Sequence, residues 1–475
     1  MKKNKTFIIG LLVVILLSGA GIIMVSLLKG GKAEETGGVT FASYTDVEVF
    51  QNVPTMKGKK ITFTEARDIG DDNYMLYGEN TTFDEYQAYL KLLEENGFSK
   101  QVDNGENGID GKVYLAHYLK EDLLVTVTYF VNFERTMIGA THNTLLSPNL
   151  SYDEAYVANN IAGAQTKFHL PELWTAGNSF IFQLKNGHFI LSDGGVKIEL
   201  PYLLDYLESL VPEGEVPVIE AWFITHAHLD HHGVAMGLME NEEYANRIRV
   251  EGIYYSNPGK AAADQYQKST DKVGGLALYA ENVCQYLKTT TGEAPKLYKP
   301  HMGERYYFND ITIEMIYTAE LLDPSEWMTW NASSFVQMFH IEGQKVLITG
   351  DTEYQCQEII MKAYNSDYFD LTIYQAPHHG LNVHNEFSNY FKQIKTVIYP
   401  SVRVNSAAAE DSELGRLVQN AHLKSLSQEA YSFWDGTKIF TFPYEVGSVE
   451  CLPERTEAEW IYNNNEKPSW KPKSK

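Results

Sequence analysis

Residues 225–233 read Thr-His-Ala-His-Leu-Asp-His-His-Gly. Five of those nine side chains, His226, His228, Asp230, His231 and His232, are types that bind metal ions through nitrogen or oxygen. The spacing His-x-His-x-Asp-His brings several donors toward one point. The apolar run Ala221-Trp-Phe-Ile224 before it reads as a buried strand that ends at Thr225. A rigid strand feeding a short donor-rich loop is what a hydrolytic two-metal site needs, because the strand fixes the backbone from which the donors reach.

Three further strand-like runs end in residues of the same kind. Val346-Leu-Ile-Thr-Gly-Asp351 ends in a carboxylate, Ile373-Tyr-Gln-Ala-Pro-His378-His379-Gly380 in paired imidazoles, and Leu191-Ser-Asp193-Gly-Gly in another carboxylate. One such aspartate could be a turn cap. Four donor-bearing strand ends together point to a single edge of a sheet sandwich.

These motifs resemble the metallo-β-lactamase superfamily, over about residues 165–450. The run Asn331-Ala-Ser-Ser334, then Thr349-Gly-Asp351, then Pro377-His-His-Gly380 is most similar to the hydrolase domain of ComEC/Rec2-type competence proteins and to secreted phosphorylcholine esterases. The resemblance implies an α/β fold, an αββα sandwich with metals at one edge. It assigns His226 and His228 to a first metal, Asp230 and His231 to a second, and Asp351 as the bridge. One of His378 and His379 completes the second site, with His379 preferred. Asp193 matches the position whose carboxylate holds the histidine loop from behind. Many members carry a further metal-binding histidine where this chain has Asn331. Asn binds zinc poorly beside imidazole, so the first metal is expected to be weak, to recruit His301 or water, or to be manganese. His232 is expected to be structural. The implied cofactors are two divalent ions, zinc or alternatively manganese, which lower the pKa of a shared water and give a metal-bridged hydroxide. Asp230 and Asp351 are expected to orient that nucleophile and are the candidate catalytic residues.

The rest of the chain bounds how this chemistry is housed. At 475 residues there is room for two folded modules. Lys2, Lys3 and Lys5 precede an uncharged apolar stretch, Phe7 to Leu28, long enough to span a bilayer as a helix. This predicts an uncleaved anchor with the catalytic body outside the cell. Residues 1–40 are therefore expected to be anchor and Gly-rich linker, 41–155 a small α+β domain, 156–452 the hydrolase domain, and 453–475 a polar tail. In the small domain, Phe83 to Gly97 has helical spacing and Gly111–Leu119 and Leu123–Val131 read as strands. No donor cluster lies there, and His117 and His142 are expected to be ordinary core or surface residues. The same is expected of His340 and His384.

Within the larger domain, Asn178–Gln183 and His188–Ser192 read as a hairpin about Lys185-Asn-Gly187. Leu200–Leu210 reads as a helix and Val218–Thr225 as a strand. Residues 235–290 read as mainly helical, with a strand near Val250–Tyr255. Tyr306–Tyr317, Ser334–His340, Lys345–Thr349, Leu371–Gln375 and Thr396–Tyr399 read as strands, and Glu429–Phe433 with Lys438–Phe442 as a second hairpin.

With 39 basic and 62 acidic residues, the formal charge is −23. That repels nucleic acid at long range. The anchor and the resemblance to the esterases imply a small-molecule or envelope-polymer ester as substrate, phosphodiesters above all. A competence-type nuclease and a non-enzymatic surface-binding protein are the alternatives. Three cysteines without a CxxC pair exclude a cysteine zinc site and a disulfide framework.

Overall fold

The computed structural model describes residues 47–64, 67–68, 74–173, 177–255, 285–322, 330–400, 416–432 and 436–455. The stretch expected to be an anchor, the linker and the tail beyond 455 lie outside them. Among the described residues no helix is long and apolar enough to cross a membrane.

The first sheet is built from β1 (Thr62–Phe63), β2 (Arg67–Asp68), β3 (Tyr74–Glu79), β4 (Ser99–Asp103), β5 (Val113–Lys120), β6 (Leu123–Phe130) and β7 (Arg135–His142). It is antiparallel in the order β1-β3-β7-β6-β5-β4, with β2 on β3. Helix α1 (Phe83–Glu95) covers one face. Its start is fixed by a capping box: Thr82 Oγ1 accepts from Glu85 N, and the Glu85 carboxylate accepts from Thr82 N. Tyr86, Tyr89 and Leu93 of α1 pack on Leu76, Val125, Val127 and Ile138. Alternate residues face the other way: Met75, Tyr77, Val113, Phe130 and Met137 join the core of the larger domain around Ile316, Tyr317 and Ile360. The period-two pattern therefore gives this sheet two apolar faces, and the second packs on residues of the later sheets and helices.

The larger domain has two packed sheets. One contains β8 (Lys167–Leu170), β9 (Ser179–Gln183), β10 (Phe189–Asp193), β11 (Val218–Ile224), β12 (Arg249–Val250), β13 (Gly252–Tyr255) and β14 (Lys296–Tyr298). The other contains β15 (Arg305–Phe308), β16 (Ile311–Tyr317), β17 (Val336–Ile341), β18 (Gln344–Ile348), β19 (Asp370–Gln375), β20 (Gln393–Tyr399) and β21 (Glu429–Ser432), in that order. Two late strands, β22 (Lys438–Thr441) and β23 (Glu450–Cys451), return to the edge of the first of these beside β8. Phe180, Phe182 and Phe223 meet Ile313, Phe339 and Ile373 between the two sheets. Helices α2 (Leu200–Ser209) and α3 (Leu229–Glu240) pack outside one sheet. Helices α4 (Tyr354–Ala363) and α5 (Asn385–Tyr390) pack outside the other, with Leu423 of α6 (Arg416–Leu426) in the same core. This is a mixed α/β arrangement with helices outside two apolar sheets.

Two strand readings are corrected. Tyr306–Tyr317 is a hairpin, β15 against β16, turning at Asn309 with φ 48°. The Asn-Asp pair interrupts a run whose hydrophobicity otherwise reads straight through. Glu429–Phe433 and Lys438–Phe442 do not form a hairpin: β21 pairs with β20 while β22 pairs with β8 in the other sheet. The chain therefore passes from one sheet to the other between β21 and β22. Residues 433–435 lie outside the described set. The hairpin β9–β10 is present as read, with Gly187 at φ 85°.

Strands β10 and β11 are parallel, as are β18 and β19. Parallel neighbours end at the same edge, which delivers their terminal residues to one place. Cys356 and Cys451 are both free.

Candidate metal centre

β11 ends at Ile224, and only four residues separate it from α3, with His228 at the helix N-cap. Asp230, His231 and His232 therefore occupy the first helical turn rather than a loop, where a carboxylate faces the positive end of the helix. Helix α3 is pressed close to the preceding segment: a Cβ on Gly233 would stand 2.5 Å from Lys197 N. Glycine at 233 is thus what lets the donor-bearing turn sit against residues 196–197.

Asp193, at the end of β10, holds this turn from behind. Its Oδ1 accepts from Thr225 N at 2.8 Å, and its Oδ2 accepts from Thr225 Oγ1 at 2.8 Å and from His231 Nδ1 at 2.7 Å. With the proton of His231 fixed on Nδ1, the Nε2 lone pair faces the site. The expectation for Asp193 concerned its position, and these three contacts give that position a physical content. We expect Asp193→Asn to weaken metal binding by the donors that include His231 by about 10–100-fold, read by metal titration. An unchanged affinity would show that His231 is oriented by something else.

Asp351 follows β18 through a turn that a neighbouring strand clamps. Gln375 Oε1 accepts from Thr349 N and Gly350 N at 2.7 and 2.9 Å, and its Nε2 donates to Gly350 O at 2.8 Å. Gly350 has φ 55°, and a Cβ there would crowd Ser334 and Thr225 at 3.1 Å. Ser334 Oγ accepts from Asp351 N at 3.2 Å. The buried carboxylate then points one oxygen at four imidazoles. Oδ2 lies 3.2 Å from His231 Nε2, 3.6 Å from His379 Nε2, 3.7 Å from His378 Nε2 and 3.8 Å from His226 Nε2.

His378 and His379 follow β19 with φ of 51° and 56°. Two adjacent non-glycine residues in the left-handed region cost about 1–3 kcal/mol each and persist only where their surroundings hold them. His378 N donates to Gly350 O at 3.1 Å, tying this loop to the Asp351 turn. His379 Nδ1 donates to Pro400 O at 2.7 Å, which leaves its Nε2 3.0 Å from Asp230 Oδ2.

The donors fall into two groups that share Asp351. Asp230, His231, Asp351 and His379 form one, and His226, His228 and Asp351 the other, each with donor atoms mutually within 4.8 Å. In the second group His226 Nε2 and His228 Nδ1 face each other at 2.9 Å. His378 belongs to neither group. Two buried atoms directed into the site, His231 Nε2 and Asp351 Oδ2, make no hydrogen bond. Orphaned nitrogen and oxygen donors in a nitrogen–oxygen set fit a divalent ion such as zinc or manganese.

At the two carboxylates and at His226 the electrostatics agree with that fit. Burial alone would raise Asp230, but the imidazoles of His231 and His379 outweigh it and hold it at about 2. Burial is likewise outweighed at Asp351, which His231, His379 and His378 hold well below the usual carboxylate range. Burial lowers His226, whereas the carboxylates of Asp351, Asp193 and Asp230 lift His231 against it. Anionic donors and a deprotonated imidazole are the forms a cation requires.

The remaining expectations sort as follows. His301 is not at the site: it is buried elsewhere, with Nδ1 2.6 Å from Glu320 Oε1, so it does not replace the missing histidine. Its place before β15 puts it against the first sheet, where His117 bonds Glu304 at 2.8 Å. His232 is buried outside both donor groups. His142 pairs with Asp122, His340 with Glu314, and His384 lies against Tyr354. Sequence reasoning missed Gln375, and it missed Asn178, whose Nδ2 reaches Asp351 Oδ1 at 3.4 Å and His231 Nδ1 at 3.3 Å. An uncharged polar residue inside a strand end was the available signal for each.

No curated protein matches the chain. Residues 173–384, a span that holds every donor named above, match the family model described as the Metallo-beta-lactamase superfamily, whose members are generally metal-dependent hydrolases; the chain carries a domain of that superfamily there.

Proposed function

We propose that this protein is a membrane-anchored, extracytoplasmic metal-dependent hydrolase that cleaves phosphodiester or related ester bonds in a small molecule or envelope polymer. The observation that carries the reading is the pair of donor groups sharing Asp351. Two divalent ions held there would supply Lewis acidity, making water nucleophilic near neutral pH and steadying an anionic transition state. Asp351 ties the two positions together, and Asp230 offers a second anionic oxygen on one side. Asp193 and the Pro400 carbonyl keep the protons of His231 and His379 on Nδ1. The group with three protein donors leaves a coordination position for water or substrate, as catalytic metal sites do. The basic N-terminus and the apolar stretch Phe7 to Leu28 support the anchor, and the Asn331, Asp351 and His378–His379 motifs support the competence-type and esterase-like branch.

The test is metal analysis of the full-length chain, purified without chelator, coupled to hydrolysis of bis-p-nitrophenyl phosphate, a phosphomonoester, a thioester, a lactam and single-stranded DNA. We expect two ions per chain, and diester turnover that is lost on chelation and restored by zinc or manganese. Turnover that survives chelation would sink the reading. Preferential degradation of the DNA would favour a nuclease against the repulsion expected from a charge of −23.

A further inference from the structure

His378 stands among the donors without joining either group. Its Nε2 is 3.7 Å from Asp351 Oδ2, so it faces the same space as the donors. Its side chain is 26% exposed, while Asp351 is 1% exposed and His226 and His231 are fully buried. It therefore sits at the mouth, where an incoming molecule meets the centre. Its ring is held from the far side, with Nδ1 3.4 Å from Asn331 Nδ2. With that amide donating to Nδ1, the neutral ring carries its proton on Nε2 and presents an N–H to the mouth. The loop is fixed at both ends of the residue: His378 N bonds Gly350 O, and His378 O accepts from Leu381 N at 2.7 Å.

We infer that His378 is a catalytic residue that touches the substrate, donating a hydrogen bond from Nε2 to an anionic oxygen of a phosphoryl-type group, and that Asn331 is the positioning residue for its ring. The inference rests on the hydrolase reading above. It gives Asn331 a task at the place where many relatives carry a metal-binding histidine. A donor fixed before the reaction toward the oxygen on which charge develops is worth about 10²–10³-fold in turnover. The residue's left-handed backbone fits the same role, since the bonds from Gly350 and Leu381 that hold it also fix where the ring starts.

The test uses the full-length chain and the variants His378→Asn, Asn331→Ala and the double variant. Asn is chosen at 378 because it tolerates the left-handed backbone. Three quantities are measured: metal content, affinity for inorganic phosphate by calorimetry, and the kinetic constants on bis-p-nitrophenyl phosphate. The expected result is two ions in every protein, phosphate bound about tenfold more weakly by His378→Asn, and kcat lowered about 10²-fold. The double variant should be no slower than His378→Asn, because Asn331 acts through the ring. Loss of one ion from His378→Asn would make His378 a ligand and overturn the inference. Unchanged phosphate affinity and kcat would overturn it as well, and so would additive losses in the double variant for the part concerning Asn331. If wild type itself binds no metal, the hydrolase reading falls and this inference falls with it; two ions in wild type confine any failure to His378.

Discussion

Asp351→Asn will leave the protein with at most one bound ion and slow diester hydrolysis by about 10³-fold or more, the equivalent of several kcal/mol of lost charge stabilisation. Asp351 is the one residue common to both donor groups, so its loss acts on both positions at once. Its Oδ2 lies between 3.2 and 3.8 Å from the Nε2 atoms of four histidines. A carboxamide has nearly the same volume but offers one oxygen, no charge, and an NH₂ that repels a cation and cannot accept from an imidazolium. The fold itself should survive, because the turn is held by Gln375 and Ser334 through backbone atoms that the substitution keeps. Metal content by mass spectrometry and kcat on bis-p-nitrophenyl phosphate decide the matter. A variant that retains two ions and wild-type turnover would show that Asp351 does not bridge.

That prediction draws on parts of the site that were legible in the sequence for a clear reason. His226, His228, Asp230, His231, Asp351 and His379 all lie a few residues past apolar strands, so short-range pattern places them near one another once the two sheets pack with those strand ends at one edge. What escaped was whatever depends on cross-strand geometry. Gln375 looks like an ordinary strand residue, yet its amide clamps the turn on the neighbouring strand. Asn178 immediately precedes β9 and reaches two donors that are distant in the chain. His301 was a candidate ligand on residue type alone, and the third dimension sent it to the opposite task, a buried pair with Glu320. The false hairpin at Asp435-Gly436 has the same origin. A turn signal tells that the chain bends, not whether it returns to the same sheet.

The second large effect lies in that pair, and it concerns stability. Glu320→Ala will cost about 3–5 kcal/mol, because it strips the partner from a charge buried between the first sheet and the larger domain. Glu320 Oε1 lies 2.6 Å from His301 Nδ1, and its Oε2 accepts from Thr318 Oγ1 at 2.7 Å and Met302 N at 3.3 Å. Glu304, the partner of His117, also accepts from His301 N at 2.8 Å, and Tyr306 donates to it. Burial would lower His301, and Lys299 adds to that, but the Glu320 charge and hydrogen bond and the Glu304 charge raise it above 6.5. Burial would raise Glu320, but His301 and Thr318 hold it below 4.5. The raised histidine stabilises fully below pH 6.5 and loses that contribution as pH climbs through its folded value. The lowered carboxylate stabilises above pH 4.5 and loses its contribution as pH falls through its folded value. Both contributions are complete between those limits, so the difference between wild type and Glu320→Ala should be larger near pH 5.5 than near pH 8.5. Urea denaturation of each protein at the two pH values measures it, and the titrations of the metal centre cancel in the difference. An equal difference at both would mean that His301 does not lose its proton between the two pH values. Replacing both partners, as His301→Leu with Glu320→Leu, should recover much of the loss, since a well-packed apolar pair carries no unpaired charge. The seam would then be held by apolar packing such as that of Met75, Tyr77 and Phe130 against Ile316 and Tyr317, with the ionic pair setting its pH dependence.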